Sequence, residues 1–215
     1  MENLAQQSQF WDRSAASTVF SHPLDHARFL REVRADAAVL DYGCGRGRLC
    51  GELAQRGFAN VVGVDYSREM IETAKCEQPT LNVSVVDGSV LPFADENFDA
   101  VLLFAVLTCI PSDEAQCELV AQISRVLKRG GLLLISDYPL QTDARNVERY
   151  AAFAQEFGAY GTFRLPNGGV VRHHRREWFT DLLGGYSIRD EIDMDATTMN
   201  GNPARIVQIW ARREV

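Results

Sequence analysis

Three aspartates stand where apolar runs of strand length end. Asp41 follows Val39-Leu40, Asp65 follows Val61 to Val64, and Asp87 follows Val83 to Val86. In an open α/β sheet, ligands bind outside the carboxyl ends of the strands, so acids in those places line one crevice. After the first of them comes Gly43-Cys44-Gly45-Arg46-Gly47. Glycines at a strand-to-helix turn let the backbone approach a ligand closely and set amides at a helix N-terminus. The dinucleotide fingerprint is G-x-G-x-x-G; here the third glycine comes one residue early, and no Gly-Lys-Ser/Thr ending is present to grip a phosphate. A carboxylate in the place of Asp65 can accept hydrogen bonds from both hydroxyls of a ribose. Each acid also has a plainer use, because a strand-end aspartate often caps the next turn.

The elements that must carry these residues alternate. Strands are predicted at Val39 to Asp41, Val61 to Val64, Val83 to Val86, Ala100 to Val106 and Leu132 to Ile135. Between them, helices are predicted from Arg48 to Gln55, after an N-cap at Ser67, and after an N-cap at Ser112, the last stopped by Gly130-Gly131. Strict alternation of strand and helix implies a parallel sheet with right-handed crossovers. The near-continuous apolar run from Ala100 to Val106 suits a strand covered on both faces. A further helix is expected over Gln141 to Phe157, a loop over Ala159 to Gly169, and a short helix over Glu177 to Leu183. Ser187 to Met194 and Ile206 to Ala211 then read as strands around the turn signal Asn200-Gly201-Asn202-Pro203. The expected fold is a Rossmann-like, doubly wound α/β domain over residues 35–215. Its seven-stranded, mostly parallel sheet would be closed by an antiparallel C-terminal edge hairpin. Residues 1–34 read as an N-terminal helical cap, with Pro23 at a first helical position and Leu24, Ala27, Leu30 and Val33 on one face.

Bulk properties narrow the partners. The chain has 215 residues, 46% of them hydrophobic, and a formal net charge of −7. Nucleic-acid binders draw most of their affinity from phosphate contacts and show a basic stripe. Here the only dense basic cluster is Arg172, Arg175 and Arg176, so no nucleic-acid partner is expected. The five cysteines are odd in number and lack C-x-x-C spacing, which predicts reduced thiols and neither a disulfide framework nor a zinc site. Met1 to Phe10 has no basic n-region or apolar h-region, and no apolar run approaches the membrane-span length of about 18 residues. A soluble cytoplasmic protein is the expectation.

The stretch from Val39 to Tyr138 resembles the class I methyltransferases that use S-adenosylmethionine (SAM), specifically the small-molecule branch. The likeness rests on the D-x-G-x-G-x-G run at Asp41 to Gly47 and the G-V-D-x-S run at Gly63 to Ser67. The D-G-x-x-L-P-F run at Asp87 to Phe93, F-D-x-V at Phe98 to Val101 and L-K-x-G-G at Leu127 to Gly131 complete it. Phe10-Trp11-Asp12 is similar to the aromatic-Asp lead-in of many members. The resemblance implies that SAM is the cofactor. Gly43, Cys44 and Gly45 would hold its methionine end, with Asp41 near the ammonium. Asp65 would take the ribose hydroxyls and Tyr66 would cover the adenine. Asp87, Gly88 and Ser89 would meet the adenine edge, and the Phe104 carbonyl would face the methionine amine. A sulfonium with an ammonium and an uncharged adenosine calls for carboxylates and carbonyls rather than phosphate clamps.

The acceptor must be decided outside this core, because function lives in the site grafted onto the fold. Candidates are Trp11 as a lid over the sulfonium, Asp137-Tyr138 at the end of the fifth strand, and His173. Each has a structural alternative: Trp11 as a packing anchor, Asp137 bonded to backbone amides, His173 and His174 in a packed or solvated stretch. Adjacent strand residues face opposite sides, so at most one of these two histidines points into the site. No metal site is expected. The leading reading is methyl transfer to a small-molecule acceptor. Aminocarboxypropyl transfer or cyclisation of SAM, a nicotinamide-dependent oxidoreductase, and a non-catalytic SAM-binding subunit are the alternatives.

Overall fold

The computed structural model describes residues 10–13, 21–86 and 90–215. Its main sheet runs β3-β2-β1-β4-β5-β9-β8. Five parallel strands are β1 (Ala38–Tyr42), β2 (Asn60–Asp65), β3 (Asn82–Val85), β4 (Phe98–Phe104) and β5 (Leu127–Asp137). The antiparallel edge pair is β8 (Tyr186–Thr197) and β9 (Pro203–Arg213), joined to the sheet through β9. The chain therefore has the Rossmann-like, seven-stranded architecture with a C-terminal edge hairpin that its alternating pattern predicts. Strands β1, β4 and β5 carry the fully buried residues Leu40, Leu102, Leu103, Leu133 and Leu134, which feed two apolar clusters.

Local chemistry accounts for the helix boundaries. Helix α1 (His26–Glu32) starts at Asp25, whose carboxylate accepts from the Arg28 N–H at 2.9 Å. Pro23 lies outside it, because an acidic side chain two residues on satisfies a free amide that proline cannot. Phe29, not Leu30, turns to the core; Leu30 is 46% exposed. Helix α2 (Arg48–Ala54) follows the glycine turn, and α3 (Arg68–Glu77) is capped by the Ser67 hydroxyl at the Met70 N–H, 3.1 Å away. Helix α4 (Asp113–Val126) is capped by Ser112 at the Ala115 N–H.

Helix α4 ends at Val126, before the glycines expected to stop it. Leu127 is already extended and pairs with Phe98. Gly130, at φ +72°, lies in the irregular stretch between this pairing and that of Leu132 with Ala100, the role glycine takes in a bulge. Lys128 pairs with Asp99 at 2.7 Å, and Asp99 also accepts from the Ala38 N–H at 2.9 Å. The F-D-x-V and L-K-x-G-G motifs thus meet at a junction that fixes where β1, β4 and β5 begin.

The second departure lies between β5 and β8. Helix α5 (Ala144–Phe157) begins at Asp143 and ends at Gly158 in the left-handed region. The segment expected to be a loop contains β6 (Thr162–Arg164), which pairs with β7 (Val170–Arg172) as a separate two-stranded sheet. Three residues are too short for alternation to announce a strand. Helix α6 (Arg176–Leu182) follows. Together α5, β6 and β7 form a cap at the carboxyl ends of the main strands. Phe10 inserts into it, packed with Tyr150, Phe163, Leu165 and Val171.

Candidate functional site

One cavity opens along the strand ends. Its floor is Asp41, Gly43, Cys44, Gly45 and Phe104; its far wall is Tyr138, Phe163, Leu165, Val171 and His173 from β5 and the cap. Trp11 and the β8–β9 turn, including Met199 and Asn200, close two sides. The fold thus brings together Asp41, Gly43, Cys44, Gly45, Phe104, Trp11, Tyr138 and His173. Asp87, Gly88 and Ser89 lie outside the described residues. Tyr160, a further aromatic of the C-terminal third, is 52% exposed and packs against Tyr150 at the cap surface.

The turn after β1 spends its amides internally. Gly43 and Cys44 donate to the Val64 carbonyl at 2.8 and 3.0 Å, and Gly45 donates to Asp65 Oδ2 at 2.8 Å. Gly43 has φ +73°, and a Cβ there would lie 2.6 Å from a Val106 methyl, so only glycine lets the two segments approach. Asp41 is 2% exposed and accepts from the Cys50 thiol at 3.4 Å. Burial pushes its carboxyl up to about 7, with Cys50 and Arg48 opposing. A buried carboxylate without a matched cation is costly, so the position suits a ligand ammonium.

Asp65 has its other oxygen on the Ser67 N–H at 2.9 Å, and burial raises its carboxyl above the ordinary range. The amides of Ser67, Gly45 and Tyr66 all bear on the Asp65 carboxylate, whose two oxygens offer about four acceptor sites. Beside it, Tyr66 meets Tyr42 edge-on. Asp12 accepts from the Ser67 hydroxyl at 2.6 Å and the Glu69 N–H at 3.3 Å, so the aromatic-Asp lead-in is pinned to the start of α3. Asp65→Ala is expected to weaken S-adenosylhomocysteine binding at least about tenfold, since hydrogen bonds to a charged group contribute roughly 1.5–3 kcal/mol each. Calorimetry checks it; an unchanged Kd with an intact thermal transition leaves Asp65 as a clamp for Gly45 and Ser67 alone.

On the acceptor side, Asp137 does not reach the cavity. Fully buried, it accepts from the Thr108 N–H at 3.2 Å and the Tyr138 N–H at 2.8 Å. Burial drives its carboxyl up to about 7 against these amides. It holds the single turn Leu107–Cys109 against the end of β5. Next to that turn, Ala105 takes φ +56°, a conformation that costs a non-glycine residue energy and gathers at functional sites. Tyr138 does face the cavity, stacked on His173 with centroids 5.1 Å apart. His173 meets the Tyr150 hydroxyl at 2.6 Å through Nδ1. His174 points the other way, to Gln116 at 2.8 Å. Burial holds both imidazoles neutral, His173 well below its ordinary pKa and His174 at about 3.

Three cavity residues carried no sequence signal of a site. His22 precedes the first core strand in a segment without periodicity. Its Nδ1 lies 3.1 Å from both the Ser136 carbonyl and the Ser136 hydroxyl; a carbonyl only accepts, so the tautomer that serves it has the proton on Nδ1 and the lone pair on Nε2. Nε2 is buried without a partner among the described residues, the ring lies edge-on to Tyr138 at 4.8 Å, and burial pushes the pKa down to about 4. A neutral imidazole with a free lone pair in a cavity wall can accept a proton. Arg145 and Arg149 also line the cavity. They lie one turn apart on α5, a spacing equally suited to a solvated face, and only the cap shows that they turn inward.

Comparison with known proteins agrees with this geometry. Residues 40–135 match a family described as a methyltransferase domain. A probable tRNA methyltransferase 9B of Bos taurus is 29% identical over 145 residues, 66% of this chain and 30% of that protein. The O-methyltransferase resE of Aspergillus sclerotiorum is 29% identical over 180 residues, 77% of this chain and 65% of that one. The chain spans under a third of the length of the tRNA methyltransferase relatives it matches. A crystal structure of a SAM-dependent methyltransferase from Methanosarcina mazei superposes with a TM-score of 0.81 at 25% identity, covering 88% of this chain and 98% of that one. With the acid-and-glycine crevice on the β1, β2 and β4 ends and these relatives in agreement, the chain carries a methyltransferase domain over residues 40–135 and has the architecture of the SAM-dependent methyltransferases.

Proposed function

We propose that this methyltransferase acts on a small-molecule acceptor held between the glycine turn and the α5-β6-β7 cap. The observation that carries the reading is the single cavity running from Asp41 and Gly45 to His173, walled largely by Phe104, Tyr138, Phe163, Leu165 and Val171. SAM, when bound, supplies a methyl group activated by its sulfonium. The protein's own residues do the rest. Asp41 holds the ammonium, Asp65 the ribose, and the aromatic wall excludes water and orients the acceptor. The cofactor contacts expected of Asp87, Gly88 and Ser89 remain part of this reading. His22 Nε2 takes the proton where the acceptor atom must lose one, and the Ser136 carbonyl keeps the required tautomer. Asp137 supports the reaction by fixing the Leu107–Cys109 turn.

A second reading, methylation of tRNA, draws on the names of several relatives. Against it stand the net charge of −7 and the state of the one basic cluster. Arg172 is paired with Asp113 and Arg176 with Asp193. No helix of the described residues is long and apolar enough to cross a membrane.

The test is S-adenosylhomocysteine release from SAM, measured with a small-metabolite library and with bulk tRNA. Turnover with members of the library and none with tRNA is expected. Release of methylthioadenosine instead would show that another carbon beside sulfur is used. With an acceptor in hand, His22→Ala is expected to lower kcat on the order of 10²-fold while KM for SAM stays near the wild-type value. An unchanged kcat would reduce His22 to a packing role.

A further inference from the structure

Arg149 is the unusual charge in the cavity. Its guanidinium carbon lies over the Phe163 ring, 3.5 Å from the centroid. Its Nε is buried without a hydrogen-bond partner, and burial lowers its pKa. Among the described residues it makes no ion pair, although most arginines of this chain do; Arg145, on the same face of α5, reaches only Asp143 at 3.7 Å. Arg145 and Arg149 both line the cavity, and both help hold the neighbouring His173 neutral, after burial. Arg149 is half-buried, shares a hydrogen bond with Tyr150 and makes no ion pair among the described residues, so its charge is one that a bound anion can neutralise. Its fork of donors matches a carboxylate, two parallel N–H groups to two oxygens.

The walls beside it are apolar: Phe163, Leu165, Val171, Trp11 and Met199. Resting on the proposed small-molecule reading, we infer that the acceptor is an amphiphilic carboxylate, with an aryl or alkyl body against the apolar wall and its carboxylate on Arg149, assisted by Arg145. Arg149 then acts as a specificity residue, choosing charged acceptors over their neutral analogues.

The experiment titrates benzoate, 2-naphthoate and octanoate, each against its amide, by calorimetry with and without saturating S-adenosylhomocysteine. At least one carboxylate is expected to bind tenfold or more tightly than its amide. Arg149→Met keeps the stem over Phe163 and should bring that ratio near one, whereas Arg149→Lys should retain part of it. The Kd for S-adenosylhomocysteine should stay within about twofold of wild type in Arg149→Met. If no carboxylate outbinds its amide, or if the ratio survives in Arg149→Met, the inference is overturned. It is equally overturned if Arg149→Met loses S-adenosylhomocysteine binding, because Arg149 then holds the cofactor's own carboxylate. Failure of wild type to bind S-adenosylhomocysteine would instead strike the cofactor reading, and the arm without it still reports the carboxylate preference. Circular dichroism of the variants separates lost binding from lost folding.

Discussion

Replacing Asp41 with alanine is expected to lower affinity for S-adenosylhomocysteine by about two to four orders of magnitude. The carboxyl is almost fully buried at the end of β1, with one weak thiol donor, and its proton affinity is raised to about 7 by burial. The proton is what neutralises it when no cation is near. A ligand ammonium takes over that role, and removing one member of a buried, paired set costs roughly 3–5 kcal/mol, or about 10²–10⁴ in Kd. The same exchange makes binding pH-dependent. Below about 7 the ammonium must displace a proton, so affinity should rise by about tenfold per pH unit as pH increases toward 7 and then level off. At pH 6 nearly one proton per site should be released, read by calorimetry in two buffers of different ionisation enthalpy. Asp41→Asn should abolish the release. Binding by wild type at pH 6 without proton release would show that Asp41 does not meet the ammonium.

Phe10→Ala should loosen the acceptor cap. Phe10 is 3% exposed and fills the space between α5 and the β6–β7 turn. It presses so closely on Gly169 that a Cβ there would lie within 2.5–2.7 Å of three of its ring atoms. Truncating a buried phenylalanine typically costs about 3–5 kcal/mol. Because the buried residues that Phe10 clusters with among the described residues, Tyr150, Phe163, Leu165 and Val171, belong to the cap, the loss should be local: faster hydrogen exchange across Thr162–Arg172, little change in the parallel strands, and reduced turnover. Residues 10–13 are held at two points, Phe10 in the cap and Asp12 on α3. With Trp11 between them facing the cavity, the segment can serve as a lid or as a fixed brace. Exchange of these amides with and without S-adenosylhomocysteine distinguishes the two. Unchanged exchange in the cap of Phe10→Ala would mean that Phe10 anchors nothing.

The cofactor crevice was legible in the amino-acid order because its chemistry is local. Asp41, Gly43 and Gly45 sit in one turn, and Asp65 with Ser67 in another, so strand ends, glycine positions and helix caps announce them within a few residues. The parallel sheet was legible for the same reason, since strand-helix alternation leaves few topologies open. The helix stop assigned to Gly130-Gly131 failed because a salt bridge from another strand, Lys128 to Asp99, draws the chain into β5 earlier than local propensity predicts. The strand β6 escaped because three residues carry no period and form only against β7.

The acceptor side belongs to the tertiary structure. His22 lies far in sequence from Ser136 and Tyr138, and nothing near it reveals that Nδ1 will meet Ser136 and that Nε2 will be buried without a partner among the described residues, in a side chain that lines the cavity. Asp137 has the residue type and strand-end position of a substrate ligand, yet its oxygens go to amides of the turn after β4, a contact set by how β4 and β5 end side by side. Arg149 looks like any solvated helix cation until β6 puts Phe163 beneath it. Short-range sequence pattern determines where a backbone turns and which end of a strand carries an acid. Burial, tautomer and missing counter-charge are properties of neighbours distant in the chain, and only packing brings them together.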